Sequence, residues 1–224
     1  FYMNNRGIFI AVEGPIGVGK TTLANILNQH FGYTLLREIV EENPFLSKFY
    51  TDIKEYALQT EAFFLFNRFK QLEDTEKNVL SKSKGVVSDY HIIKNLIFAG
   101  ITLDKMQFHR YKQVYNIFVN DLPQPDIIIY LNSNTDVLMK RIAMRDRSFE
   151  RQMDRNYIDG LRTEYKYYFN PLSIKHNFMG KEPIIIEIDN SNLDFLNKEE
   201  DRKFIIDKVE EAISTLGGKT TCSN

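Results

Sequence analysis

Short apolar runs alternate along the chain with longer stretches in which apolar residues recur at helical spacing. The apolar runs are bounded by turn-forming residues and predict buried strands at residues 8–12, 33–37, 86–87, 126–131 and 184–188. The helical spacing predicts helices at residues 20–30, 54–80, 92–98, 103–120, 135–145, 154–169 and 199–216. Short buried strands separated by helices are typical of a parallel sheet with helices on both faces. The pattern therefore predicts an α/β fold.

This alternation continues without an internal repeat, a low-complexity segment or a clear linker. We interpret residues 3–216 as one domain, followed by a polar tail at residues 217–224. Met3 is interpreted as the natural start, so residues 1–2 carry no functional argument. The single cysteine, Cys222, cannot form an internal disulfide, which favours a reducing cytoplasm. We expect no membrane partner, because no apolar run has membrane-spanning length or the character of a signal peptide.

Positive and negative charges nearly balance, with 29 Lys and Arg residues against 30 Asp and Glu residues. A near-neutral chain lacks the overall basic field of many nucleic-acid-binding proteins, although it is compatible with a local basic cluster. The hydrophobic share of 43% and the charged share of 26% are typical of a globular protein rather than a disordered one. We expect small-molecule partners and no nucleic acid.

Residues 14–21 fit the phosphate-binding pattern G-x-x-x-x-G-K-[ST], with a predicted strand before them and a predicted helix after them. Glycines let the backbone turn tightly, so that several N–H groups and the positive helix N-terminus face one phosphate. Lys20 would reach the β- and γ-phosphates of ATP, and the Thr21 hydroxyl would help to hold Mg²⁺. The alternative interpretation is a plain glycine-rich turn, but the Lys and Thr at the end of the motif argue against it. The predicted ATP-binding residues are Gly14, Gly17, Gly19, Lys20, Thr21 and Thr22.

Three further features favour phosphoryl transfer. Glu38 follows the second predicted strand, where a carboxylate could accept the proton of an attacking hydroxyl. Asp89 follows the third predicted strand and could hold Mg²⁺ directly or through water. A basic cluster within an Arg-rich lid near residues 140–151 could close over the transferred group; it comprises Lys140, Arg141, Arg145 and Arg147. Taken singly, the acids could be helix caps and the basic run a solvated face.

These motifs are similar to those of the deoxynucleoside kinase family, in particular its bacterial deoxyguanosine kinases. The resemblance extends from residue 8 to about residue 164 and is strongest at residues 13–21, 38–46, 48–50 and 88–91. It implies a P-loop kinase fold with a five-stranded parallel sheet, usually assembled as a homodimer. It also implies that Glu38 is the general base and that Tyr50 and Glu150 hold the sugar 3′-hydroxyl. The lid residues implied by the resemblance are Arg141, Arg145 and Arg147.

The sequence departs from the family pattern directly after the third strand. Many members carry an acid followed by Arg-Ser, and that Arg lies near the base and the reacting phosphate. Here the corresponding residues are Asp89, Tyr90 and His91. His91 is one candidate for the role of the missing Arg, and a structural role for this histidine is the alternative.

Base choice is predicted from two residues of the long helix. Many relatives read the base with a Gln eleven residues after the sugar-binding Tyr and an Arg seven residues later, which correspond here to Glu61 and Arg68. A carboxylate suits the N1–H and N2–H₂ donors of guanine, and a guanidinium suits the O6 and N7 acceptors. Alternatives are an exposed Glu61–Arg68 ion pair, or a shift in register that makes Gln59 the base reader. Asn95 is predicted as a further polar contact.

The sequence thus predicts ATP-dependent 5′-phosphorylation of a purine deoxynucleoside, with deoxyguanosine favoured and dGMP as the product, in deoxynucleotide salvage. A deoxyadenosine kinase or a broad purine deoxynucleoside kinase is the first alternative. A nucleoside monophosphate kinase is a weaker one, because the predicted acceptor end is rich in carboxylates that would repel a phosphate. A GTP-binding switch would need Asn-Lys-x-Asp, and residues 197–200 lack the final Asp.

Overall fold

A five-stranded parallel sheet lies at the centre of the chain, as the apolar runs predict. This computed structural model describes residues 6–171, 173–174 and 182–219. The strands are β1 (Phe9–Glu13), β2 (Thr34–Leu36), β3 (Val86–Ser88), β4 (Ile127–Asn132) and β5 (Ile184–Asp189). Their order across the sheet is β2-β3-β1-β4-β5, and every neighbouring pair is parallel. The predicted α/β class and the parallel sheet are confirmed.

Helices connect the strands close to the predicted positions. They are α1 (Lys20–Phe31), α2 (Leu46–Phe49), α3 (Ile53–Asn78), α4 (Lys94–Thr102), α5 (Lys105–Val119), α6 (Thr135–Arg145), α7 (Arg155–Tyr168) and α8 (Glu199–Lys219). The short α2 is not predicted from the apolar pattern, and α8 continues three residues past its predicted end. Residues 1–2, Met3 and Cys222, for which the sequence analysis makes predictions, lie outside the described residues.

The sheet buries both of its faces, which explains why its strands are continuous apolar runs rather than alternating ones. Alternate residues of β1 point to opposite sides: Phe9 and Ala11 join one hydrophobic cluster, whereas Ile10 and Val12 join the other. The first cluster includes residues of α3, α4, α5 and α7, and the second includes residues of α1, α6 and α8. The sheet is therefore a rigid base for the loops at its edges.

Among the described residues, no helix combines the length and the apolar character needed to cross a membrane.

The carboxyl ends of β1, β2 and β3 bring the predicted chemistry to one edge of the sheet. The register pairs Ser88 at the end of β3 with both Ala11 of β1 and Leu36 of β2. The P-loop follows β1, Glu38 lies two residues after β2, and Asp89 follows β3 directly. Adjacent parallel strands thus place residues that are distant in sequence beside one another, at the edge where ligands bind in such sheets.

Candidate active site

A cleft of ≈ 1040 Å³ opens at this edge of the sheet. At one end it is lined by the P-loop, and at the other by residues of α2 and α3. The segment around α6 and the loop after β5 complete its walls. Of the predicted site residues, the structure brings to this cleft Gly17, Gly19, Lys20, Thr21, Thr22, Glu38, Tyr50, Glu61, Arg68, Asp89, Arg141, Arg145, Arg147 and Glu150.

The P-loop has the geometry of a phosphate cradle. Gly14 adopts a φ of 147°, and a Cβ at this position would lie 2.2 Å from the Leu131 carbonyl oxygen, so only glycine fits. Lys20 folds back and donates to the carbonyl oxygens of Gly14 at 2.7 Å and Pro15 at 3.0 Å. Burial and the nearby charge of Lys94 lower the pKa of Lys20 to about 7. An anionic ligand would stabilise the charged form of this lysine.

A buried carboxylate that the sequence analysis does not select anchors the P-loop to its surroundings. Glu13, the last residue of β1, accepts hydrogen bonds from the Gly14 N–H at 3.0 Å and the Tyr165 hydroxyl at 2.8 Å. Its other oxygen accepts from the His91 N–H at 2.5 Å. Burial raises the pKa of Glu13. Its position could have been noticed in the sequence, because an acid at the end of a fully buried strand needs several hydrogen-bond donors around it.

Glu38 is held by two cations. Arg68 donates to its Oε1 through Nε at 3.0 Å and also through Nη2. The Lys94 ammonium bridges both carboxylate oxygens, at 2.9 Å and 2.7 Å. Burial by itself would raise the pKa of Glu38, but the charges of Lys94 and Arg68 lower it to about 2. The carboxylate is therefore ionised across the physiological range.

Asp89 lies between the P-loop helix and Glu38. Its Oδ2 accepts a hydrogen bond from the Thr21 hydroxyl at 2.7 Å, and its Oδ1 accepts from the Glu38 N–H at 2.8 Å. One hydroxyl and one carboxylate oxygen are thereby adjacent at the phosphate end of the cleft, and both are oxygen ligands that suit Mg²⁺. The described residues contain no cluster of three or more His, Cys, Asp or Glu side chains arranged to hold a metal ion.

The end of the cleft that is lined by α2 and α3, here called the acceptor end, contains buried polar atoms without a partner. Glu61 is 1% exposed and Arg68 is 3% exposed, and neither Glu61 Oε2 nor Arg68 Nη1 has a hydrogen bond. Burial raises the pKa of Glu61 to about 8. Because both residues are buried, the alternative of an exposed ion pair is wrong. Gln59 is exposed and does not line the cleft, whereas Glu61 does. The shift in register that would bring Gln59 to the base is therefore not supported.

Two polar residues after β3 lie outside the cleft lining. Asn95 is fully buried, and its amide donates to the Tyr111 hydroxyl at 2.8 Å instead of facing the cleft. The His91 ring is also buried; its Nδ1 accepts from the Ile93 N–H at 3.2 Å, and burial lowers its pKa to about 3. The structure therefore brings neither residue to the predicted ligand, and the histidine serves the packing of this turn.

Lys94 is a cation after β3 that contacts Glu38, although it does not lie at the position of the family Arg. It is the first residue of α4 and is 6% exposed, although a lysine at the start of a helix ordinarily indicates a solvated side chain. Tyr90, at the position of the family Arg, is fully buried and donates to Gln71 Oε1 at 3.0 Å. Sequence position alone does not reveal Lys94, because its contact with Glu38 spans 56 residues.

Tyr50 and the lid residues form the remaining wall. The Tyr50 ring stacks on Phe149, with 6.5 Å between the ring centroids. Glu150 is 5% exposed and accepts two hydrogen bonds of 2.6 Å from Arg145 Nη2. Arg147 lies 3.9 Å from the same carboxylate. Arg141 lies one turn before Arg145 in α6 and donates to the Asn190 carbonyl oxygen at 3.2 Å. The lid thus meets the predicted sugar end of the cleft through Glu150.

The chain is similar to several known proteins. A family model described as deoxynucleoside kinase matches residues 10–214. The deoxyguanosine kinase of Bacillus subtilis is 43% identical over 93% of this chain and 99% of its own length. The deoxyadenosine kinase of Lactobacillus acidophilus is 30% identical over 93% of this chain and 97% of its own. A solved structure of deoxyadenosine kinase from M. mycoides with bound dATP has a TM-score of 0.76 and 25% identity, covering 91% of this chain and 99% of that one.

Proposed function

The chain belongs to the deoxynucleoside kinase family, and from this premise we propose that it transfers the γ-phosphoryl group of ATP to the 5′-hydroxyl of deoxyguanosine to form dGMP. The observation that carries the choice of base is the pair of buried, unpartnered polar atoms at the acceptor end, Glu61 Oε2 and Arg68 Nη1. Buried polar atoms without partners are costly, so they favour a ligand that supplies the complementary groups.

Guanine supplies those groups. An ionised Glu61 accepts from N1–H and N2–H₂ of the base, while Arg68 Nη1 donates to the acceptor side of the ring. Arg68 also donates to Glu38 through Nε and Nη2, so the same side chain links base recognition to the reacting end of the cleft. Phe64 packs against the guanidinium, with 4.7 Å to the ring centroid. Identity of 43% to a deoxyguanosine kinase supports the same choice.

The reaction moves one proton and one phosphoryl group. Glu38 accepts the proton of the 5′-hydroxyl as the oxygen attacks the γ-phosphorus; the bond from that phosphorus to the β-γ bridging oxygen breaks, and ADP leaves. Tyr50 and Glu150 hold the sugar 3′-hydroxyl. Lys20 and the lid arginines, Arg141, Arg145 and Arg147, stabilise the charge on the transferred group and exclude water.

ATP and Mg²⁺ fit the residues present. The P-loop glycines allow a tight turn in which a Cβ would clash with neighbouring protein atoms such as the Leu131 carbonyl oxygen. The ATP phosphates bind to the N–H groups of this turn and to the start of α1, with Gly14, Gly17, Gly19, Lys20, Thr21 and Thr22. The Thr21 hydroxyl and the Asp89 carboxylate, which lie 2.7 Å apart, would hold Mg²⁺ directly or through water. When bound, the ion neutralises charge on the donor phosphates.

Two alternatives make different use of the same cleft. Deoxyadenosine presents an unprotonated N1 to Glu61 and is accepted only when that carboxyl is protonated. A phosphorylated acceptor would lie among Glu38, Glu61 and Glu150, where like charges oppose it. The first alternative is favoured by relatives such as the deoxyadenosine kinase that is 30% identical, and the second has no supporting observation.

We further propose that residues 3–216 form one catalytic domain that acts as a homodimer in the cytoplasm. Exposed apolar side chains on α3 and α5 support an interface, among them Phe66 at 49% and Ile117 at 73% exposure. Phe118 joins this surface by an edge-to-face contact with Phe66, at 5.2 Å between centroids. Two-fold pairing of such a patch would bury it against itself.

A steady-state panel tests the proposed activity. Purified protein with ATP and Mg²⁺ is assayed against deoxyguanosine, deoxyadenosine, deoxycytidine, thymidine and guanosine. We expect the highest kcat/KM with deoxyguanosine, because hydrogen bonds from its N1–H and N2–H₂ stabilise the ionised form of Glu61. A higher value with any other nucleoside of the panel, or no turnover with any deoxynucleoside, would overturn the proposal.

A further inference from the structure

Lys94 forms a second cationic contact to the reacting carboxylate of this cleft. Its ammonium bridges both oxygens of Glu38, and its Nζ lies 5.3 Å from the Phe98 ring centroid. The Lys94 side chain is 8% exposed, so it reaches this position through the packed start of α4 rather than from solvent. Burying a lysine ammonium costs free energy unless the ammonium is paired with an opposite charge.

Three cations lie around Glu38, and the acids nearby each have other partners: Asp89 accepts from the Glu38 N–H and the Thr21 hydroxyl. Lys20, Lys94 and Arg68 all act electrostatically on this carboxylate or on each other, and the charge of Lys94 lowers the pKa of Lys20. Glu13 is turned away into hydrogen bonds with backbone N–H groups and Tyr165. Two ammonium groups that repel one another beside one carboxylate form a site that an additional anion stabilises.

Phosphoryl transfer moves negative charge within this cluster. Before the step, Glu38 carries one negative charge and the γ-phosphoryl group is bonded to ADP. Afterwards the carboxyl holds the 5′-hydroxyl proton and is neutral, the leaving ADP has gained one negative charge, and the transferred phosphoryl group, still doubly charged, is bonded to the acceptor oxygen beside Glu38. Lys94 then has a neutral carboxyl as its neighbour, while the phosphoryl oxygens need a cation. A lysine ammonium is a compact charge on a flexible stem, so it can follow the charge over a short distance, whereas Arg68 is fixed by two bonds to Oε1.

We propose that Lys94 is a catalytic residue that leaves Glu38 and binds the transferred phosphoryl oxygens as the proton moves to the carboxylate. It thereby supplies the cation that many family members carry two residues after β3, where this chain has the buried Tyr90. This inference rests on the proposed kinase activity.

The test combines kinetics with binding of a transition-state analogue. In Lys94→Met we expect kcat with deoxyguanosine to fall about 10²-fold or more, with KM for both substrates within about threefold. Lys94→Arg keeps the charge and is expected to recover about tenfold of that loss. Affinity for ADP with aluminium fluoride, measured calorimetrically with Mg²⁺ present, falls about 10²-fold in Lys94→Met, while affinity for ADP alone stays unchanged.

Lys105→Met is the matched control, because Lys105 begins α5 as Lys94 begins α4 but is exposed and outside the cleft. We expect it to behave as the unsubstituted protein. Unchanged kcat in Lys94→Met would overturn the inference, and so would lowered kcat with unchanged analogue affinity, which would make Lys94 only a support for Glu38. If Lys94→Met does not fold, Lys94→Gln carries the same test. Absence of turnover in the unsubstituted protein would instead overturn the proposed kinase activity.

Discussion

At the scale of single residues, Glu38 combines a low proton affinity with the role of proton acceptor. Lys94 and Arg68 together lower its pKa to about 2, which keeps it ionised and fixed in orientation. Phosphoryl transfer has a loose transition state with little bonding to the attacking oxygen, so positioning of that hydroxyl counts for more than basicity. In the proposed mechanism, both cations therefore position Glu38 before the reaction, and Lys94 stabilises charge during it.

Glu38→Gln tests this role. The amide keeps the size but cannot accept the proton, and it leaves Lys94 and Arg68 without a negative partner. We expect kcat to fall by about 10²–10⁴-fold and the free energy of unfolding to fall by about 3 kcal/mol. Steady-state kinetics and denaturant unfolding measure these effects. Glu73→Gln, on the exposed side of α3, is the control, and a kcat within threefold in Glu38→Gln would contradict the assignment.

Glu61 links base preference to pH. Burial raises its pKa to about 8, so the group is mainly neutral below that pH and ionised above it. The neutral acid can donate to adenine N1, whereas the ionised form accepts from guanine. We expect the ratio of kcat/KM for deoxyguanosine over deoxyadenosine to rise between pH 6.5 and 9.

In Glu61→Gln the ratio should be lower and independent of pH, because the amide does not titrate in this range. Parallel pH profiles of the two nucleosides measure both effects. A ratio that stays constant with pH in the unsubstituted protein, or is unchanged by the substitution, would contradict the role of Glu61 in base recognition.

At the scale of elements, we expect the lid to depend on an ion pair between the buried Glu150 carboxylate and the more exposed Arg145. Arg145, the last residue of α6, holds Glu150 with two bonds of 2.6 Å. In Arg145→Ala the carboxylate loses this partner, and the lid loses a cation that faces the cleft. We expect kcat/KM to fall by about 10²-fold or more.

Arg151→Ala, within the same lid, is the matched control. Its ion pair with Asp146 is short, at 2.7 Å, but both side chains are more than 60% exposed, so it contributes little. We expect kcat/KM within about threefold of the unsubstituted protein. Equal losses in the two arginine variants would mean that the lid needs charge without the specific Glu150 contact.

The strands and long helices were predictable because their signals are local. Each predicted strand lies within two residues of the observed one at either end, and the P-loop could be identified from its spacing between β1 and α1. The four-residue α2 is too short to show helical spacing. The predicted start of α4 at residue 92 is two residues early, since buried Ile92 and Ile93 belong to the turn that precedes it.

The contacts inside the cleft were not predictable to the same degree, because they depend on side-chain direction. Spacing placed Glu61 and Arg68 on one face of α3, and both are buried there. Spacing could not show that Arg68 would contact Glu38, thirty residues away. Lys94 and Asn95 are neighbours in sequence, yet one faces the cleft and the other faces Tyr111.

At the scale of the whole molecule, the cleft separates two electrostatic tasks. The P-loop and the lid line one part of the cleft with cations, and Glu38 and Glu61 line the other with carboxylates. In the proposed function the cations bind the triphosphate and the carboxylates receive an uncharged nucleoside. Lys94 and Arg68 join the two ends through Glu38. The parallel sheet makes this arrangement possible, because it holds the ends of three strands at fixed spacing.

The proposed homodimer leads to a test at the same scale. Ile117→Glu places a charge within the exposed apolar surface of α3 and α5, where burial in an interface would be unfavourable. We expect light scattering to give half the mass of the unsubstituted protein. Phe204→Glu, on α8 and 48% exposed, is the control and should leave the mass unchanged. A monomeric mass for the unsubstituted protein would contradict the proposal.

The division of charge in the cleft is tested most directly by offering two acceptors that differ only in charge. Deoxyguanosine and dGMP are assayed in parallel with ATP and Mg²⁺, and the products are identified by mass spectrometry. The account predicts rapid formation of dGMP from deoxyguanosine and no dGDP from dGMP. Efficient formation of dGDP would contradict it, because a phosphate would then be accepted among the carboxylates that exclude it here.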